Sequence, residues 1–281
     1  MSRRDLLRRA RGVDGLLTML SDRVDAELLD ACPRLKVVAN YAVGFDNLDL
    51  PAASARGVLM TNTPEVLTEA TAELAWALIL ACARRVLEGD RLVRAGRFQG
   101  WDPLLLLGDS LGGKTLGILG PGRIGRAVAC IGRGFGMKIL TAGRGDLKAL
   151  DRLIRASDVL SLHVPLTEAT RHLLGLRELA RMKPGAILVN TARGPVVDEE
   201  ALVGALRSGR LAAAGLDVYE REPRLARGLA GLRNVVLLPH LGSATVEARR
   251  AMALRAAGNL ISALSGLRPK DLLPSPVHTR P

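Results

Sequence analysis

Aromatic side chains are scarce in this chain of 281 residues, which contains two Trp, two Tyr and three Phe. Proteins that bind nucleic acids use aromatic rings as stacking platforms for bases. The scarcity therefore argues against such a partner, although 40 Lys and Arg against 28 Asp and Glu give a net charge of +12. The basic residues are spread along the chain rather than clustered. We predict no nucleic-acid partner, and a positive field that suits small anionic ligands.

Cysteines are also few, and long hydrophobic runs are absent. Cys32, Cys82 and Cys130 are widely separated and show no metal-binding spacing, so we predict three buried thiols and no metal site. The most apolar stretch, residues 70–83, is too short to span a bilayer. The N-terminal sequence MSRRDLLRRARG lacks the apolar centre of a signal peptide. These absences predict a cytoplasmic globular protein without a membrane partner, and its 48% of hydrophobic residues allows a substantial core.

Short apolar segments typical of β-strands alternate with helical segments along most of the chain. This alternation predicts an α/β protein with parallel sheets. The predicted strands are LLTML (16–20), KVVAN (36–40), VLMTN (58–62), TLGILG (115–120), KILTAG (138–143), VLSLHV (159–164), AILVNTA (186–192), AAGLDV (213–218) and NVVLLPH (234–240). Residues 65–92 are rich in Ala and Leu and predict one long helix.

A glycine-rich turn follows the predicted strand TLGILG and opens a helix. Gly120, Gly122 and Gly125 form the pattern G-x-G-x-x-G. In dinucleotide-binding folds the first glycine allows the tight turn, the second lets the backbone approach the pyrophosphate, and the third lets the helix pack on the strand. Because the amides at a helix N-terminus attract anions, we predict a dinucleotide site here, with Arg123 and Ile124 among its contacts.

The position of this motif predicts the domain organisation. The motif begins only near residue 115, so the residues before it must form another unit and a connection. We predict a discontinuous first domain, residues 1–65 and 247–281. A nucleotide-binding domain, residues 66–246, is then inserted into it. The long helical segment is suited to an arm or bridge, which we assign to residues 65–107.

Three polar residues follow predicted strands in the C-terminal half, where doubly wound folds place their active groups. Arg193 ends the segment LVNTARG, and its guanidinium is suited to binding a carboxylate bidentately. His240 ends NVVLLPH, and an imidazole can give a proton to a carbonyl oxygen that becomes an alkoxide. Glu222, in EREP, would orient that imidazole. Each residue alone also fits a plain structural role, but together with a nicotinamide they predict hydride reduction of a 2-oxo acid.

The end of the second strand of the nucleotide-binding domain bears on the choice of cofactor. A site that prefers NAD has an acidic residue there, which accepts hydrogen bonds from the ribose hydroxyls. This chain has Gly143 at that position, followed by Arg144. A 2′-phosphate would meet no repulsion and would gain a cationic partner. We therefore predict NADPH as cofactor, with NADH as the alternative if Arg144 is an ordinary solvated turn residue.

Seven segments resemble the characteristic blocks of the D-isomer-specific 2-hydroxyacid dehydrogenases. They are NYAVGFDNLD, TNTPEVLTEATAELAWALIL, GKTLGILGPGRIGRAVA, SLHVPLTEATRHLLG, MKPGAILVNTARGPVVDEEALVGAL, AAGLDVYEREP and NVVLLPHLGSAT. The stretch GRFQGWDPLLLLG is similar to the glyoxylate and hydroxypyruvate reductase branch. The resemblance covers nearly the whole chain. It implies two doubly wound parallel-sheet domains, a Rossmann NAD(P)-binding domain inserted into a flavodoxin-like substrate domain, and a homodimer joined through the arm.

The resemblance also implies roles for individual residues. Arg193 is implied to bind the substrate carboxylate, Glu222 to be the partner of the acid, and His240 to be the proton donor. The backbone at Val43 and Gly44 helps hold the substrate carboxylate, and Trp101 lines the partner subunit's substrate pocket or is only an apolar anchor. His163 is expected to line the nucleotide cleft through its backbone, and His172 to have no catalytic role. The further cofactor contacts implied are Thr191, Ala192, Asp217 at the nicotinamide amide, His240 and Gly242.

Two pieces of the family pattern are missing from the chain. The family has a strand, a helix and a second strand before the helix RDLLRRARG, so LLTML is expected to form an exposed apolar edge. A helix and an edge strand are also expected to be absent between Arg144 and Asp151.

The residues favour an NADPH-preferring reductase of glyoxylate or hydroxypyruvate. The alternatives are an NAD-dependent D-3-phosphoglycerate dehydrogenase and, favoured by the two gaps, a nucleotide-sensing interaction protein with weak or no catalysis.

Overall fold

Residues 2–274 are described by the structure, a computed structural model. The last residues of the predicted first domain, 275–281, lie outside the described residues. The helices are α1 (Arg3–Ala10), α2 (Ala26–Asp30), α3 (Leu50–Ala55), α4 (Thr68–Ala83), α5 (Val86–Arg94), α6 (Arg123–Gly134), α7 (Leu147–Ala156), α8 (Leu176–Arg181), α9 (Glu199–Arg207) and α10 (Val246–Leu264). The strands are β1 (Gly15–Thr18), β2 (Val37–Asn40), β3 (Leu59–Thr61), β4 (Thr115–Leu119), β5 (Lys138–Ala142), β6 (Val159–Leu162), β7 (Ala186–Asn190), β8 (Leu211–Leu216) and β9 (Val235–Leu237). Their alternation confirms the predicted α/β class.

The chain divides into two compact units. Unit 1 consists of Met1–Leu67 together with Ser243–Pro281, and unit 2 consists of Thr68–Gly242. Each unit is built around its own parallel sheet, with three strands in unit 1 and six in unit 2. Each unit therefore has a hydrophobic core of its own.

The sheet of unit 1 has the strand order β1-β2-β3, and both neighbouring pairs are parallel. All residues of the central strand β2 are buried. Leu28, Val38 and Met60 contribute to the core that the sheet forms with its helices. Strand β1 lies at an edge of the sheet and leaves Leu17 exposed, as predicted for LLTML.

The sheet of unit 2 has the strand order β5-β4-β6-β7-β8-β9, and every neighbouring pair is parallel. The carboxyl ends of all its strands therefore lie along one edge. The chain first adds β5 on one side of β4 and then β6 on the other. Ligands of doubly wound sheets bind at such a reversal of strand order, outside the carboxyl ends.

The predicted single helix over residues 65–92 is wrong. Helix α4 begins at Thr68 and ends at Ala83, and α5 begins at Val86. Between them Arg85 has a φ of 52°, in the left-handed region that a side chain with a Cβ disfavours. The apolar pattern continues through this point, so the interruption could not be read from composition.

One cysteine also differs from the prediction. Cys32 and Cys82 are buried, but Cys130 is exposed. Burial raises the pKa of the Cys82 thiol to about 12, so this thiol remains protonated at neutral pH. Cys130 lies on α6, between the buried Ala129 and the partly buried Ile131, on the face of the helix that is turned to solvent.

None of the helices within residues 2–274 combines the length and the apolar character that crossing a membrane requires. In the same residues, no group of three or more His, Cys, Asp and Glu side chains is placed to hold a metal ion.

Candidate active site

Arg193, Glu222 and His240 follow the adjacent strands β7, β8 and β9 at the carboxyl edge of unit 2. Because parallel strands present their carboxyl ends along one edge, residues distant in sequence come together there. The Nδ1 atom of His240 lies 3.0 Å from Oε2 of Glu222. Both side chains remain about one third exposed, at 33% and 37%, so a small ligand can reach the pair.

Opposing influences act on the Glu222 carboxyl. Burial raises its pKa, but the hydrogen bonds from His240 and from the Tyr219 amide, with the charges of His240 and Arg193, outweigh burial. The net pKa of Glu222 is therefore below its ordinary value. An ionised carboxylate can only accept hydrogen bonds, so Nδ1 of His240 must carry the proton between them. This fixes the imidazole with its other nitrogen, Nε2, free to face a ligand.

The turn that carries His240 is held by a buried carboxylate. Asp217 is fully buried, and its two oxygens accept the N–H groups of Leu241 at 2.6 Å and Gly242 at 2.7 Å. The amide of His240 donates to the Asp217 carbonyl at 2.9 Å. These bonds hold His240 at a φ of 59°, a conformation that is uncommon for residues other than glycine. Burial raises the pKa of Asp217, although the two amides oppose it.

The segment that carries Arg193 is shaped by another strand-end residue. Asn190, the last residue of β7, is buried; its Nδ2 donates to the Arg193 carbonyl at 2.9 Å, and its Oδ1 accepts from the Ala192 amide at 3.0 Å. The Nη1 atom of Arg193 donates to the Ala192 carbonyl at 2.8 Å. The guanidinium therefore projects from a tightly bonded turn, which restricts where it can lie.

Gly194 brings the Arg193 turn against the segment that leads to Glu222. A Cβ added at Gly194 would overlap the backbone of Tyr219 and Glu220. The two segments thus touch through main-chain atoms, and only glycine permits this approach.

Substitution of this glycine gives a direct test of the close approach. We expect Gly194→Ala to lower the free energy of unfolding by about 1–3 kcal/mol, because backbone atoms must move to admit the methyl group. Denaturant titration followed by circular dichroism measures the change. Gly204→Ala, in helix α9, is the matched control, since no atom lies within 4 Å of its added Cβ. Equal stability of the two variants would contradict the argument.

The glycine corner after β4 fits the predicted pyrophosphate. A Cβ at Gly120 would lie 2.7 Å from the His163 carbonyl oxygen, and Gly120 has a φ of 94°. Gly122 is the N-cap residue just before α6 and provides no side-chain cap, and nothing lies within 4 Å of the Cβ position at Gly122. A Cβ at Gly125 would lie 2.9 Å from Ile118 Cγ2. The turn, the open approach to the first helical amides and the close packing all match the three predicted glycine roles.

Two other features along the same edge suit a dinucleotide. Thr191 Oγ1, after β7, is shielded from solvent and has no hydrogen-bond partner among residues 2–274. Gly143 and Arg144, after β5, are both exposed. A Cβ at Gly143 would come no closer than 4.0 Å to a neighbouring atom, Pro121 Cδ. The residues present therefore fit an NAD(P) molecule, and the position after β5 accepts a larger side chain.

The remaining predicted residues are placed as follows. The ring of His163 bonds Ser161 Oγ at 2.9 Å, and burial lowers the pKa of His163 to about 4, so it is neutral at physiological pH. His172 is exposed and lies 3.0 Å from Glu220. Trp101 is 86% exposed. Val43 and Gly44 belong to unit 1, in the loop after β2.

Sequence reasoning missed Glu199, a buried residue at the start of α9. Its carboxylate accepts the N–H groups of Glu220 at 2.7 Å and Ala226 at 3.2 Å. Burial raises the pKa of Glu199 above its ordinary value. It anchors both sides of the loop that carries Glu222. An acidic residue in the first turn of a helix is common, so no sequence signal marks this one as special.

Comparisons with known proteins identify the family of the chain. The family model described as D-isomer specific 2-hydroxyacid dehydrogenase, NAD binding domain, matches residues 76–242. A glyoxylate reductase of Thermococcus litoralis is 50% identical over 289 residues, with 98% of this chain and 87% of that protein covered. A crystal structure of a Thermus thermophilus protein has a TM-score of 0.93 at 47% identity, with 98% and 90% covered.

A third comparison includes bound ligands. The NADPH-dependent glyoxylate/hydroxypyruvate reductase of Sinorhizobium meliloti, crystallised with NADP and malonate, has a TM-score of 0.87 at 37% identity. The alignment covers 95% of this chain and 86% of that one. The likeness thus extends over both units. The chain belongs to the D-isomer specific 2-hydroxyacid dehydrogenase family and is an oxidoreductase with a nicotinamide-dinucleotide-binding domain.

Proposed function

We propose that this enzyme reduces glyoxylate or hydroxypyruvate to the 2-hydroxy acid, with NADPH preferred over NADH. The observation that carries the proposal is the His240–Glu222 pair, 3.0 Å apart, next to the turn that presents Arg193. A proton donor beside a carboxylate-binding cation is what reduction of a 2-oxo acid needs. The names of the relatives support this substrate class.

The proposed chemistry divides among the residues of the site. When bound, the reduced nicotinamide supplies the hydride. Arg193 binds the substrate carboxylate, and the Val43–Gly44 backbone assists. His240 gives the proton on Nε2 to the carbonyl oxygen of the substrate as that oxygen becomes an alkoxide. Glu222 stabilises the imidazolium through Nδ1 before the proton leaves, which is why its lowered pKa matters.

We propose that the cofactor spans the carboxyl edge of unit 2. The Gly120–Gly125 corner, with Arg123 and Ile124 in the first turn of α6, holds the pyrophosphate. The other proposed contacts are Gly143, Arg144, Thr191, Ala192, Asp217, His240 and Gly242. Asp217 already accepts hydrogen bonds from the backbone N–H groups of Leu241 and Gly242. Its main contribution is therefore to shape the wall beside the nicotinamide. A hydrogen bond that Asp217 accepts from the carboxamide of the nicotinamide is a second contribution.

Initial-rate assays of the purified protein test this function. NADPH and NADH oxidation is followed with glyoxylate, hydroxypyruvate and phosphohydroxypyruvate. We expect the highest kcat/KM with NADPH and one of the two unphosphorylated acids. A preference for NADH with phosphohydroxypyruvate would instead support a phosphoglycerate dehydrogenase, and binding of NADPH without turnover of any of the three would support a nucleotide-sensing protein.

The cofactor preference has its own test at Gly143. The space around Gly143 admits a side chain, so Gly143→Asp should fold normally. We expect it to weaken NADPH binding about tenfold or more by repelling the 2′-phosphate, while NADH gains a ribose partner. Fluorescence titration with each cofactor measures the two dissociation constants. If the unaltered enzyme already binds NADH more tightly, the argument from Gly143 and Arg144 fails.

A homodimer is the proposed assembly. Helix α5 and the loop after it expose a series of large apolar side chains, which include Val93 at 60% and Leu104 at 75% exposure. An apolar patch of this kind marks an interaction surface. In the dimer, Trp101 would line the partner subunit's substrate pocket.

Light scattering tests the assembly. We expect a mass of about twice 29.9 kDa for the unaltered protein. Val93→Asp combined with Leu104→Asp should yield the monomer, because two charges would be buried at the interface. Leu254→Asp is the control, since Leu254 is equally exposed on α10 but lies outside the arm. A monomeric unaltered protein would contradict the proposal.

A further inference from the structure

Tyr219 holds one residue of the candidate site through its main chain. It lies in the loop after β8, three residues before Glu222, and its backbone N–H donates to Oε1 of Glu222 at 3.0 Å. The other carboxylate oxygen, Oε2, faces Nδ1 of His240 at 3.0 Å. Because one oxygen of the carboxylate is held by the backbone, the direction in which the other oxygen points depends on Tyr219.

The side chain of Tyr219 holds the segment that leads to His240. Its hydroxyl donates to the Leu238 carbonyl at 2.8 Å, whereas the Leu216 carbonyl lies farther away at 3.5 Å. A phenol has a single proton to donate, so the bond to Leu238 is the principal one. Leu238 lies directly after β9 and two residues before His240. Tyr219 therefore bonds to one partner of the pair through its backbone and to the segment of the other through its phenol.

The bond to the Leu238 carbonyl restricts how the chain enters His240. A carbonyl group lies in the plane of its peptide unit, so a fixed Leu238 carbonyl fixes the plane of the bond to Pro239. The ring of Pro239 then holds φ near about −65°. The next amide, that of His240, is bonded to the Asp217 carbonyl at 2.9 Å. Between these two anchors the backbone keeps one freely rotating angle, ψ of Pro239.

The backbone conformation of His240 depends on such anchors. Its φ of 59° is disfavoured for a residue with a Cβ and persists only where the surroundings determine it. The ring of Tyr219 packs against the core of unit 2, so its hydroxyl is presented from a fixed place. Burial raises the pKa of Tyr219 to about 12, so the hydroxyl keeps its proton and donates throughout the neutral pH range.

We infer that Tyr219 is a positioning residue that aligns the carboxylate of Glu222 with the imidazole of His240. The alignment rests on the geometry of unit 2, whereas its effect on turnover rests on the proposed function, in which His240 is the proton donor. Tyr219 acts through these two residues and leaves the Arg193 turn as it is. Loss of the phenolic hydroxyl should therefore lower kcat and leave KM nearly unchanged.

The variant Tyr219→Phe tests the alignment, because it removes only the hydroxyl. The ring and the backbone N–H remain, so the variant should fold, which circular dichroism checks. We expect kcat for glyoxylate reduction to fall about tenfold, since a small displacement of a catalytic group is costly, with KM changed less than about twofold. Tyr41→Phe is the matched control, since the Tyr41 hydroxyl also donates to a backbone carbonyl, that of Arg249 at 2.7 Å. Equal kcat in the two variants would overturn the inference.

The pH profile of kcat gives a readout that a loss of stability alone would not move. Burial raises the pKa of Glu222, but the hydrogen bond from His240, with the other contacts of the carboxylate, brings it below its ordinary value. A weaker bond to His240 lets this pKa rise. The acid limb should therefore move to higher pH in Tyr219→Phe and stay in place in Tyr41→Phe. An acid limb at the same pH in both variants would contradict the alignment.

A measurement without turnover separates the alignment from the proposed function. The hydrogen bond that a neutral histidine makes determines which ring nitrogen carries the proton. NMR of protein labelled with ¹⁵N at its four histidines identifies that nitrogen, and the signal missing in His240→Gln assigns His240. In the unaltered protein the proton should lie on Nδ1, and in Tyr219→Phe it should shift partly to Nε2.

The NMR outcomes divide between the two proposals. A proton that stays on Nδ1 to the same extent in Tyr219→Phe would overturn the alignment. So would a proton on Nε2 in the unaltered protein, a result that needs no variant. The expected shift in a protein that does not reduce glyoxylate would keep the alignment and overturn the proposed function.

Discussion

Replacement of His240 by Gln is expected to lower kcat for glyoxylate reduction by about 100-fold to 10,000-fold, the usual contribution of a general acid. Glutamine keeps a hydrogen-bond donor but has no proton to transfer. The NADPH dissociation constant should stay within about threefold of the unaltered value, because the pyrophosphate corner at Gly120–Gly125 is unchanged. Stopped-flow kinetics and fluorescence titration measure the two quantities.

The chain offers a closely matched control for this substitution. His172 also pairs with a glutamate, with Nε2 lying 3.0 Å from Glu220 Oε1. It is exposed and lies outside the proposed site. His172→Gln changes the same kind of histidine–glutamate hydrogen bond and should leave kcat within about twofold. A His240→Gln enzyme as active as the His172→Gln enzyme would remove His240 from the mechanism.

The pH dependence of glyoxylate reduction tests the role of the His240–Glu222 pair. Glu222 stabilises the imidazolium only while its carboxyl is ionised, so reduction should fall as pH drops through the pKa of Glu222. On the acid side, the lowered pKa of Glu222 keeps the pair intact to below the ordinary value of a glutamate. Glu222→Gln removes the anion that favours the imidazolium. It should lower kcat and leave no fall in activity on the acid side that depends on this carboxyl, and a pH profile identical to that of the unaltered enzyme would contradict the assigned partnership.

Arg193→Lys is expected to lower kcat/KM for glyoxylate by about 10-fold to 150-fold. A lysine keeps the charge but loses the planar fork that binds a carboxylate through two parallel hydrogen bonds. The loss corresponds to about 1.5–3 kcal/mol, the range for a hydrogen bond to a charged group. Steady-state kinetics with glyoxylate and hydroxypyruvate measure it, and both substrates should be affected alike because both carry the carboxylate.

Two further measurements separate substrate binding from general damage. NADPH binding should be nearly unchanged in Arg193→Lys, since the clamp is proposed to contact the substrate. Arg171→Lys is the control, because Arg171 is exposed and lies outside the site. Near-normal kcat/KM in Arg193→Lys, or an equal loss in the Arg171 variant, would remove Arg193 from substrate recognition.

The elements that sequence predicted best are those with a strong local signal. All nine predicted strands are present, because each is a short apolar run bounded by turns or helices. The glycine corner is also as predicted, since its spacing alone restricts the backbone. The predicted continuous helix over residues 65–92 is wrong because its composition contains no signal for the left-handed conformation of Arg85.

The residues of the candidate site also differ in whether the sequence contains a signal for them. Arg193, Glu222 and His240 were identifiable because each ends a predicted strand, and the parallel sheet brings strand ends together. Asn190, Glu199 and the asparagines of unit 1 that bond the loop after β2 were not identifiable, because their partners are backbone groups, which every residue has and which carry no sequence signal. A polar side chain at a strand end looks the same in sequence whether it faces a ligand or a carbonyl.

By itself, the sequence determined the α/β class, the family, the dinucleotide corner and the strand-end residues that are candidates for catalysis, because these depend on local pattern and spacing. Only the tertiary structure decided that Asp217 holds the turn of His240, that Gly194 lets two backbone segments touch, and that Asn40 and Asn62 donate hydrogen bonds to the carbonyls of Gly44 and Val43. The physical reason is that each of these depends on which groups meet across the fold: for the hydrogen bonds, burial makes the pairing of donor and acceptor obligatory, and for Gly194 the close backbone contact leaves no space for a Cβ.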